Sequence, residues 1–172
     1  LGNTVGLITR PDSKIPIVSS QNDICVIQID KGFSELHDFI LERQPELVFN
    51  LAAQGRATHQ SSELKSLLSA NIELGLQLLE ALSITNKAVD FVNTGTYWQH
   101  AGHSDNYLPN SLYSAMKQAF QDLLVYYTTS TKIKSITLKP CDIYGPGDSR
   151  PKIFNLFLNA QKTGIPLDFS PG

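Results

Sequence analysis

Residues 89–96 read VDFVNTGT, and this stretch decides the kind of fold that the chain can adopt. Its first five residues form a short, mostly apolar run that predicts a buried strand, which ends in the small polar residues Thr94, Gly95 and Thr96. Apolar strands of this kind are covered on both faces, as in parallel sheets. Ligands of such sheets bind beyond the carboxyl ends of the strands, so the residues that follow each strand are where chemistry is expected.

Helix patterns lie on both sides of this strand. Upstream, apolar residues recur every three or four positions over residues 63–82, which predicts one long helix with an apolar stripe. That stripe consists of Leu64, Leu68, Ile72, Gly75, Leu79 and Leu82. Downstream, a helix is predicted over residues 111–127. Further strands are predicted over residues 4–9, 24–29, 47–51 and 133–138, and further helices over residues 33–42 and 152–162. This alternation predicts an α/β fold with a parallel sheet.

Composition narrows the classes of protein that fit. The 172 residues are 41% hydrophobic and 17% charged, which predicts a folded domain with a sizeable core. The formal net charge is -2 and the basic residues are spread out, so we predict no nucleic-acid partner and no electrostatic membrane anchor. Because no uninterrupted apolar run approaches the roughly 20 residues that span a bilayer, no membrane partner is predicted.

Cysteine and histidine usage predicts neither a disulfide nor a metal site. Cys25 and Cys141 lie in apolar, strand-like stretches, and we interpret both as buried, reduced thiols. Reduced thiols indicate a cytoplasmic location. Of the four histidines, only His100 and His103 are near one another, and we interpret them as loop residues rather than metal ligands.

A tyrosine and a lysine lie four positions apart in the helix that follows the VDFVNTGT stretch. On a helix, Tyr113 and Lys117 lie on one face, where the ammonium would lower the pKa of the phenol. A tyrosine tuned in this way can exchange protons with a sugar hydroxyl or carbonyl. With six tyrosines in the chain the spacing also arises by chance, so the pair gains its weight from its position after the strand.

Three other groups carry a functional and a structural interpretation. A hydroxyl of the Thr94-to-Thr96 segment would bind the same reacting oxygen as Tyr113, or the segment is an ordinary strand-end turn. The small residues after Asn50 would let a flat ligand approach the backbone, or they form a tight strand exit. Asn71 lies on the apolar stripe, and we predict a structural hydrogen bond from it to a neighbouring strand-end backbone.

In this order, these features and the Gly/Pro loop over residues 139–147 resemble the extended short-chain dehydrogenase/reductase family of sugar-nucleotide epimerases, dehydratases and reductases. The resemblance covers residues 4 to about 150 and implies a Rossmann-type, doubly wound parallel sheet that is truncated at both ends. It assigns residues 1–150 to an NAD(P)-binding domain without its first strand and phosphate loop, and residues 151–172 to the start of a substrate-binding region. Without that strand, the strands at residues 4–9 and 47–51 lose a common neighbour, and we expect these 172 residues alone to bind cofactor poorly.

The resemblance also implies site residues. Tyr113 would be the catalytic acid/base, Lys117 its pKa-lowering partner and a ligand of the nicotinamide ribose, and Thr96 the catalytic hydroxyl. The cofactor would be bound by the following residues as well: Arg10, Asp30, Leu51, Ala52, Ala53, Thr94, Pro140 and Ile143. The substrate would be bound by Thr96, Trp98 and Arg150, with Arg150 either on the nucleotide diphosphate or a solvated loop cation.

Two positions narrow the reaction and the cofactor. The family's 4,6-dehydratases carry Asp-Glu after the catalytic threonine, where this chain has Tyr97 and Trp98, so dehydration is disfavoured. Arg10 follows the strand at which NAD-using members carry an acidic residue, and an arginine there can pair with the 2′-phosphate of NADP. We therefore favour NADP over NAD, although Asp12 nearby weakens the preference.

Within the family, residues 93–100, 113–120 and 144–153 look like those of the CDP-abequose and CDP-paratose synthases. Those enzymes reduce the 4-keto group of a CDP-linked 3,6-dideoxyhexose for O-antigen synthesis. The leading hypothesis is therefore a ketoreductase of a nucleotide-linked deoxysugar, and the alternative is a nucleotide-sugar 4-epimerase. A non-enzymatic dinucleotide sensor is a third hypothesis, and the resemblance also implies a homodimer.

Overall fold

The computed structural model describes residues 4–9, 24–28, 33–101, 105–145, 147–148, 150 and 152–168. These residues divide into two compact units, one ending at Pro140 and the other beginning at Cys141. The larger unit contains five strands, in chain order β1 (Val5–Thr9), β2 (Ile24–Gln28), β3 (Leu47–Asn50), β4 (Val89–Thr94) and β5 (Ile133–Leu138).

All strand pairs are parallel, but the strands form two sheets. β1 pairs with β2, and β3, β4 and β5 form a second sheet in that order. Among the described residues, β1 and β3 do not pair with one another. The predicted α/β class is confirmed, and every predicted strand is present to within a residue at each described end.

Helices α1 (Phe33–Arg43) and α4 (Leu112–Ser130) match their predicted positions. Between them, residues Ser61–Ile84 form one long helical segment. It consists of a 3-10 turn, α2 (Leu64–Leu68), a π-helical turn at Ser69–Glu73, and α3 (Leu74–Ile84).

The π turn changes which side chains of the long segment are buried. Leu64 and Leu68 of the predicted stripe are 44% and 45% exposed, whereas Leu67, which was outside the stripe, is fully buried. A π turn holds an extra residue, so the helix face that meets the core shifts by one position across it. The predicted stripe is therefore wrong over α2 and right over α3.

By length and composition alone, the 24 residues of Ser61–Ile84 are apolar enough to cross a membrane. The core helix of a globular protein passes the same test. Here Leu78, Leu79 and Leu82 of α3 belong to the main hydrophobic cluster, where they pack with residues of α1, α4 and the sheet. The rest of that cluster includes Leu36, Ile40, Phe91, Phe120, Leu124 and Ile133.

Gly75 of α3 is in close contact with Phe120 of α4. A Cβ at this position would lie 2.5 Å from Cε2 of Phe120, whose ring is fully buried. We expect Gly75→Ala to lower the free energy of unfolding by about 1–3 kcal/mol, because overpacking outweighs the roughly 1 kcal/mol gain in helix propensity. Urea denaturation of the variant measures this loss. Gly145→Ala, where a Cβ would meet nothing within 4 Å, is the control, and equal midpoints for the two variants would contradict the close packing.

The second unit contains α5 (Ile153–Thr163), which ends at Gly164 in a left-handed conformation with φ of 70°. In the loop before α5, ion pairs join Lys152 to Asp142 and Arg150 to Asp148. The thiols of Cys25 and Cys141 are both free. The prediction of buried thiols is wrong for Cys141, which is exposed because it lies in the loop beyond β5, and Cys25 is only partly buried.

Candidate active site

Helix α4 begins immediately before the Tyr113 and Lys117 pair, and serine side chains set that start. Ser111 is the N-cap: its Oγ accepts the Ser114 N–H at 3.2 Å, and the Ser114 Oγ accepts the Ser111 N–H at 3.1 Å. Such reciprocal bonds satisfy N–H groups that a helix start leaves without partners. Tyr113 and Lys117 therefore lie in the first two turns, one turn apart on the same face.

Lys117 is buried, with only 1% of its surface exposed. Its Nζ donates a hydrogen bond to the carbonyl oxygen of Ala52 at 3.3 Å. Burial without a carboxylate partner lowers the pKa of Lys117 to about 8. The structure thus places the lysine against the loop that leaves β3, which is the loop predicted to contact the cofactor.

Tyr113 is partly buried beside the same loop. A Cβ on Gly55 would lie 3.7 Å from Cζ of the Tyr113 ring. Burial raises the pKa of the Tyr113 phenol above its usual value. This direction is opposite to the sequence-based expectation, because the Lys117 ammonium points to the Ala52 carbonyl and desolvation is the cause that dominates at the phenol.

Thr96 lies just beyond β4 and is 8% exposed. Its N–H donates to Gln99 Oε1 at 2.9 Å, and its Oγ1 accepts from the Trp98 N–H at 3.3 Å. The following N–H, that of Tyr97, donates to the Pro140 carbonyl at 3.1 Å. The Thr96 segment is therefore held between the 3-10 turn Tyr97–Gln99 and the residues that leave β5.

Asn71 fixes the loop that contacts Lys117 and Tyr113. From the π turn, its Oδ1 accepts the Gln54 N–H and its Nδ2 donates to the Gln54 carbonyl, both at 3.2 Å. Nδ2 also donates to the Leu67 carbonyl at 2.9 Å. The predicted structural hydrogen bond to a strand-end backbone is confirmed.

Sequence reasoning missed a row of polar side chains across the sheet, of which Asn50 and Asn93 are buried and Thr137 is partly buried. Asn50 Nδ2 donates to Asn93 Oδ1 at 3.2 Å, and Asn93 Nδ2 donates to Thr137 Oγ1 at 3.3 Å. The three residues are cross-strand neighbours in β3, β4 and β5. The sequence signal that could have revealed this row was an asparagine at or next to the end of two predicted strands. The hydrogen bonds of the row fix the register between the three strands.

The remaining predicted residues fall into three groups. Thr94 ends β4 opposite Leu138, and Leu51, Ala52 and Ala53 form the exit of β3, with Leu51 exposed. Ile143 and Arg150 belong to the second unit, where Arg150 Nε and Nη2 donate to the Asp148 carboxylate at 2.7 and 2.6 Å. Arg10 and Asp30 lie outside the described residues.

The ion pairs of the second unit restrict what Arg150 can bind. Hydrogen bonds from Arg150 lower the pKa of Asp148 to about 2, so that carboxylate is ionised at neutral pH. A phosphate that bound Arg150 would have to share the guanidinium with Asp148. In the part of the chain that the structure describes, no cluster of three metal-ligating side chains occurs.

A dinucleotide fits the strand ends of the larger unit. Thr9, the last residue of β1, has a buried hydroxyl without a hydrogen-bond partner among the described residues. Buried hydroxyls are mostly hydrogen-bonded, and a ligand across this strand end would offer Thr9 a partner. The exit of β3 carries the small residues Ala52 and Ala53, and the buried Lys117 lies directly beside it.

Comparison with known proteins agrees with this geometry. The NAD dependent epimerase/dehydratase family matches residues 8–168. A curated relative, CDP-abequose synthase from Yersinia pseudotuberculosis, is 28% identical over 140 residues, which are 81% of this chain and 48% of the relative. The chain therefore spans about half the length of that relative.

Solved structures share the fold at lower identity. MoeE5 in complex with UDP-glucose and NAD superposes with a TM-score of 0.74 at 21% identity, over 92% of this chain and 53% of that one. UDP-N-acetylglucosamine 4-epimerase from Methanobrevibacter ruminantium gives a TM-score of 0.75 at 21% identity, over 94% and 56%. UDP-glucuronic acid 4-epimerase from Bacillus cereus, in complex with NAD, gives 0.68 at 21% identity, over 86% and 48%. These likenesses confirm the predicted Rossmann-type fold.

Proposed function

Since this chain belongs to the NAD dependent epimerase/dehydratase family, we propose that it forms the cofactor-binding part of a nucleotide-sugar ketoreductase. The reaction is reduction of the 4-keto group of a nucleotide-linked deoxyhexose. The observation that carries the proposal is the placement of Tyr113 and the buried Lys117 on one face of α4, against the exit of β3. The similarity to CDP-abequose synthase supports a reductase that acts on a CDP-linked sugar.

Tyr113 is the proton donor of the proposed reaction. When bound, the nicotinamide cofactor supplies hydride to the sugar carbon, and the oxygen on that carbon must gain a proton. Burial keeps the pKa of Tyr113 above its usual value, so the phenol is protonated at neutral pH, as reduction of a ketone requires. The Thr96 hydroxyl binds the same oxygen and orients it, and Lys117 stabilises the phenolate left after proton transfer.

The residues predicted to hold the cofactor are those at the strand ends. In this proposal Asp30, Ala52, Ala53, Thr94 and Pro140 of the larger unit contact it. Lys117 donates to the nicotinamide ribose in exchange for its bond to the Ala52 carbonyl. Trp98, which is 38% exposed beside Thr96, contacts the sugar.

Arg10 is the basis for proposing NADP rather than NAD, although relatives of this fold have been solved with NAD. A guanidinium–phosphate pair contributes roughly 1.5–3 kcal/mol. We therefore expect Arg10→Ala to raise the KM for NADPH about 10- to 100-fold and to leave the KM for NADH within about twofold. Steady-state kinetics with both cofactors measure this. An equal rise for both would mean that Arg10 does not contact the 2′-phosphate.

A nucleotide-sugar 4-epimerase is the second candidate, because several solved relatives of this fold are 4-epimerases. It would use the same Thr96, Tyr113 and Lys117, return the hydride to the opposite face of the sugar, and consume no cofactor overall. A dinucleotide sensor without turnover is the third candidate, and it does not need Thr96, Tyr113 and Lys117 together.

The decisive experiment incubates the whole protein with NADPH or NADH and with CDP- or dTDP-linked 4-ketohexoses. The proposal predicts stoichiometric loss of NADPH with one of these sugars. Conversion of the sugar without net loss of cofactor would establish the epimerase. Cofactor binding without conversion of any sugar would support the sensor and overturn both enzyme proposals.

We also propose that the enzyme is a cytoplasmic homodimer without nucleic-acid or membrane partners. A shallow, mainly apolar groove between the long helical segment and α4 supports the dimer. Its lining includes Leu68, Ile72, Met116, Leu123 and Tyr126. Sedimentation of the whole protein at micromolar concentration distinguishes a dimer from a monomer.

A further inference from the structure

Gln99 is a fully buried amide at the end of the turn that follows Thr96. Its Oε1 accepts the Thr96 N–H at 2.9 Å, and its Nε2 donates to Gln118 Oε1 at 2.7 Å and to Gln121 Oε1 at 3.3 Å. A backbone N–H can only donate, so the oxygen of the Gln99 amide must face Thr96 and the nitrogen must face α4. The orientation of the amide is therefore fixed by chemistry.

These hydrogen bonds form a series that runs in one direction, from Thr96 through Gln99 to α4 and then along that helix. Gln118 accepts from Gln99 and in turn donates through Nε2 to Asp122 Oδ1 at 2.9 Å. Each donor in the series points away from Thr96, and the series ends at an exposed carboxylate, an arrangement in which the bonds polarise one another. Gln118 directly follows Lys117, so the series joins the Thr96 segment to the helix that carries Tyr113 and Lys117.

The backbone next to Gln99 is adapted to this amide. A Cβ at Gly95 would lie 2.6 Å from Gln99 Oε1 and 3.1 Å from Cγ2 of Thr137. Only glycine leaves room for the amide to reach the Thr96 N–H at this point. A second link, from Lys139 Nζ to His100 Nε2 at 2.8 Å, ties the far end of the turn to the exit of β5.

We infer that Gln99 is a positioning residue that locks the Thr96 hydroxyl in register with Tyr113 and Lys117. Oγ1 of Thr96 accepts the Trp98 N–H, which leaves its own proton to be donated to the reacting oxygen. The direction of that proton depends on the Thr96 backbone, and the Gln99 amide holds this backbone against α4. The inference rests on the proposed role of Thr96 in catalysis.

A double-mutant cycle in the whole protein tests whether Gln99 acts through Thr96. We expect Gln99→Met to lower kcat about 10- to 100-fold, because displacement of a catalytic group by about 1 Å has an effect of this size, with the KM for NADPH within about threefold. In a Thr96→Ala background the same change should lower kcat less than about twofold, because the group that it positions is gone. Equal losses in both backgrounds would overturn the inference.

Amide hydrogen exchange supplies a readout that does not need activity. We expect Gln99→Met to speed exchange at the Thr96 N–H at least about tenfold, because methionine offers that N–H no comparable acceptor. Unchanged exchange in Gln99→Met would overturn the inference whatever the reaction proves to be. Faster exchange in a protein without turnover would uphold the positioning of Thr96 and refute the proposed function.

Two further variants guard against failure to fold. Gln118→Met removes the nearer of the two acceptors of Gln99 Nε2, at a half-buried site, and it should speed exchange at Thr96 in a folded protein. Gln77→Met, at a half-buried glutamine of α3, is the matched control and should change neither exchange at Thr96 nor kcat. A Gln118→Met variant with full protection at Thr96 would contradict the link to α4.

Discussion

Tyr113→Phe is expected to lower turnover of the whole protein about 10²- to 10⁴-fold while the Kd for NADPH changes less than about threefold. The phenol supplies the proton of the proposed reduction, and general acid catalysis contributes a factor of this size. Phenylalanine keeps the ring that lies beside Gly55 and removes only the hydroxyl, so the packing of α4 is preserved. Single-turnover rates and a cofactor titration measure the two quantities separately.

The matched control for Tyr113 is Tyr107→Phe, which removes a phenol from the exposed loop before α4. Its turnover should stay within about twofold of the unchanged protein, as for surface substitutions in general. If Tyr113→Phe retained full turnover, the proton donor would be another group, and Thr96 would be the first to test. If cofactor affinity fell together with turnover, Tyr113 would be a binding residue.

The strand ends and the first turns of α4 could be predicted from the sequence because local signals specify them. A short apolar run followed by Thr94, Gly95 and Thr96 identifies a strand end, and the spacing of Tyr113 and Lys117 places both on one helix face. The hydrogen bond of Asn71 could also be foreseen, because a polar residue on an apolar stripe needs a buried partner.

The connections between these segments could not be predicted. Asn50, Asn93 and Thr137 meet only because three strands have a particular register, and that register is a long-range property. In the sequence Gln99 is one polar residue between a strand and a helix, and its hydrogen bonds depend on how its turn meets α4. The extra residue of the π turn shifts the buried face of α2 relative to that of α3, so Leu64 and Leu68 are exposed, and such a change in winding leaves no clear mark in an apolar helix.

The direction in which the pKa of Tyr113 shifts is another property that the sequence could not predict. Spacing alone suggested that Lys117 would lower the pKa of the phenol, since it placed the two side chains on one face. The structure turns the ammonium to the Ala52 carbonyl and buries both groups, so desolvation decides the pKa of each. How deeply a side chain is buried depends on the whole fold, so the four-residue spacing of Tyr113 and Lys117 could not predict it.

Lys117→Met is expected to stabilise the fold at pH 7 while it abolishes turnover. The pKa of Lys117 is about 8 in the folded protein and about 10.5 in an unfolded chain, so the unfolded state binds more protons between these values. Below pH 8 the folded protein must hold a buried ammonium, which costs roughly 3 kcal/mol for a shift of this size. The cost falls as pH rises from about 8 towards 10.5, so the stability of the unchanged protein increases over this window.

Methionine fills similar space without a charge, so it removes this cost. It also leaves the Ala52 carbonyl without its donor, a loss of about 1 kcal/mol, so the expected net gain at pH 7 is roughly 2 kcal/mol. Urea denaturation at pH 7 and pH 10 measures this gain, which should shrink by most of its value at the higher pH.

Lys65→Met, at an exposed position of α2, should change stability by less than about 0.5 kcal/mol at either pH. A gain that does not depend on pH would mean that the buried charge is not its cause. A gain confined to low pH, together with lost turnover, would show that Lys117 is kept for catalysis at the expense of stability, as is common for active-site groups.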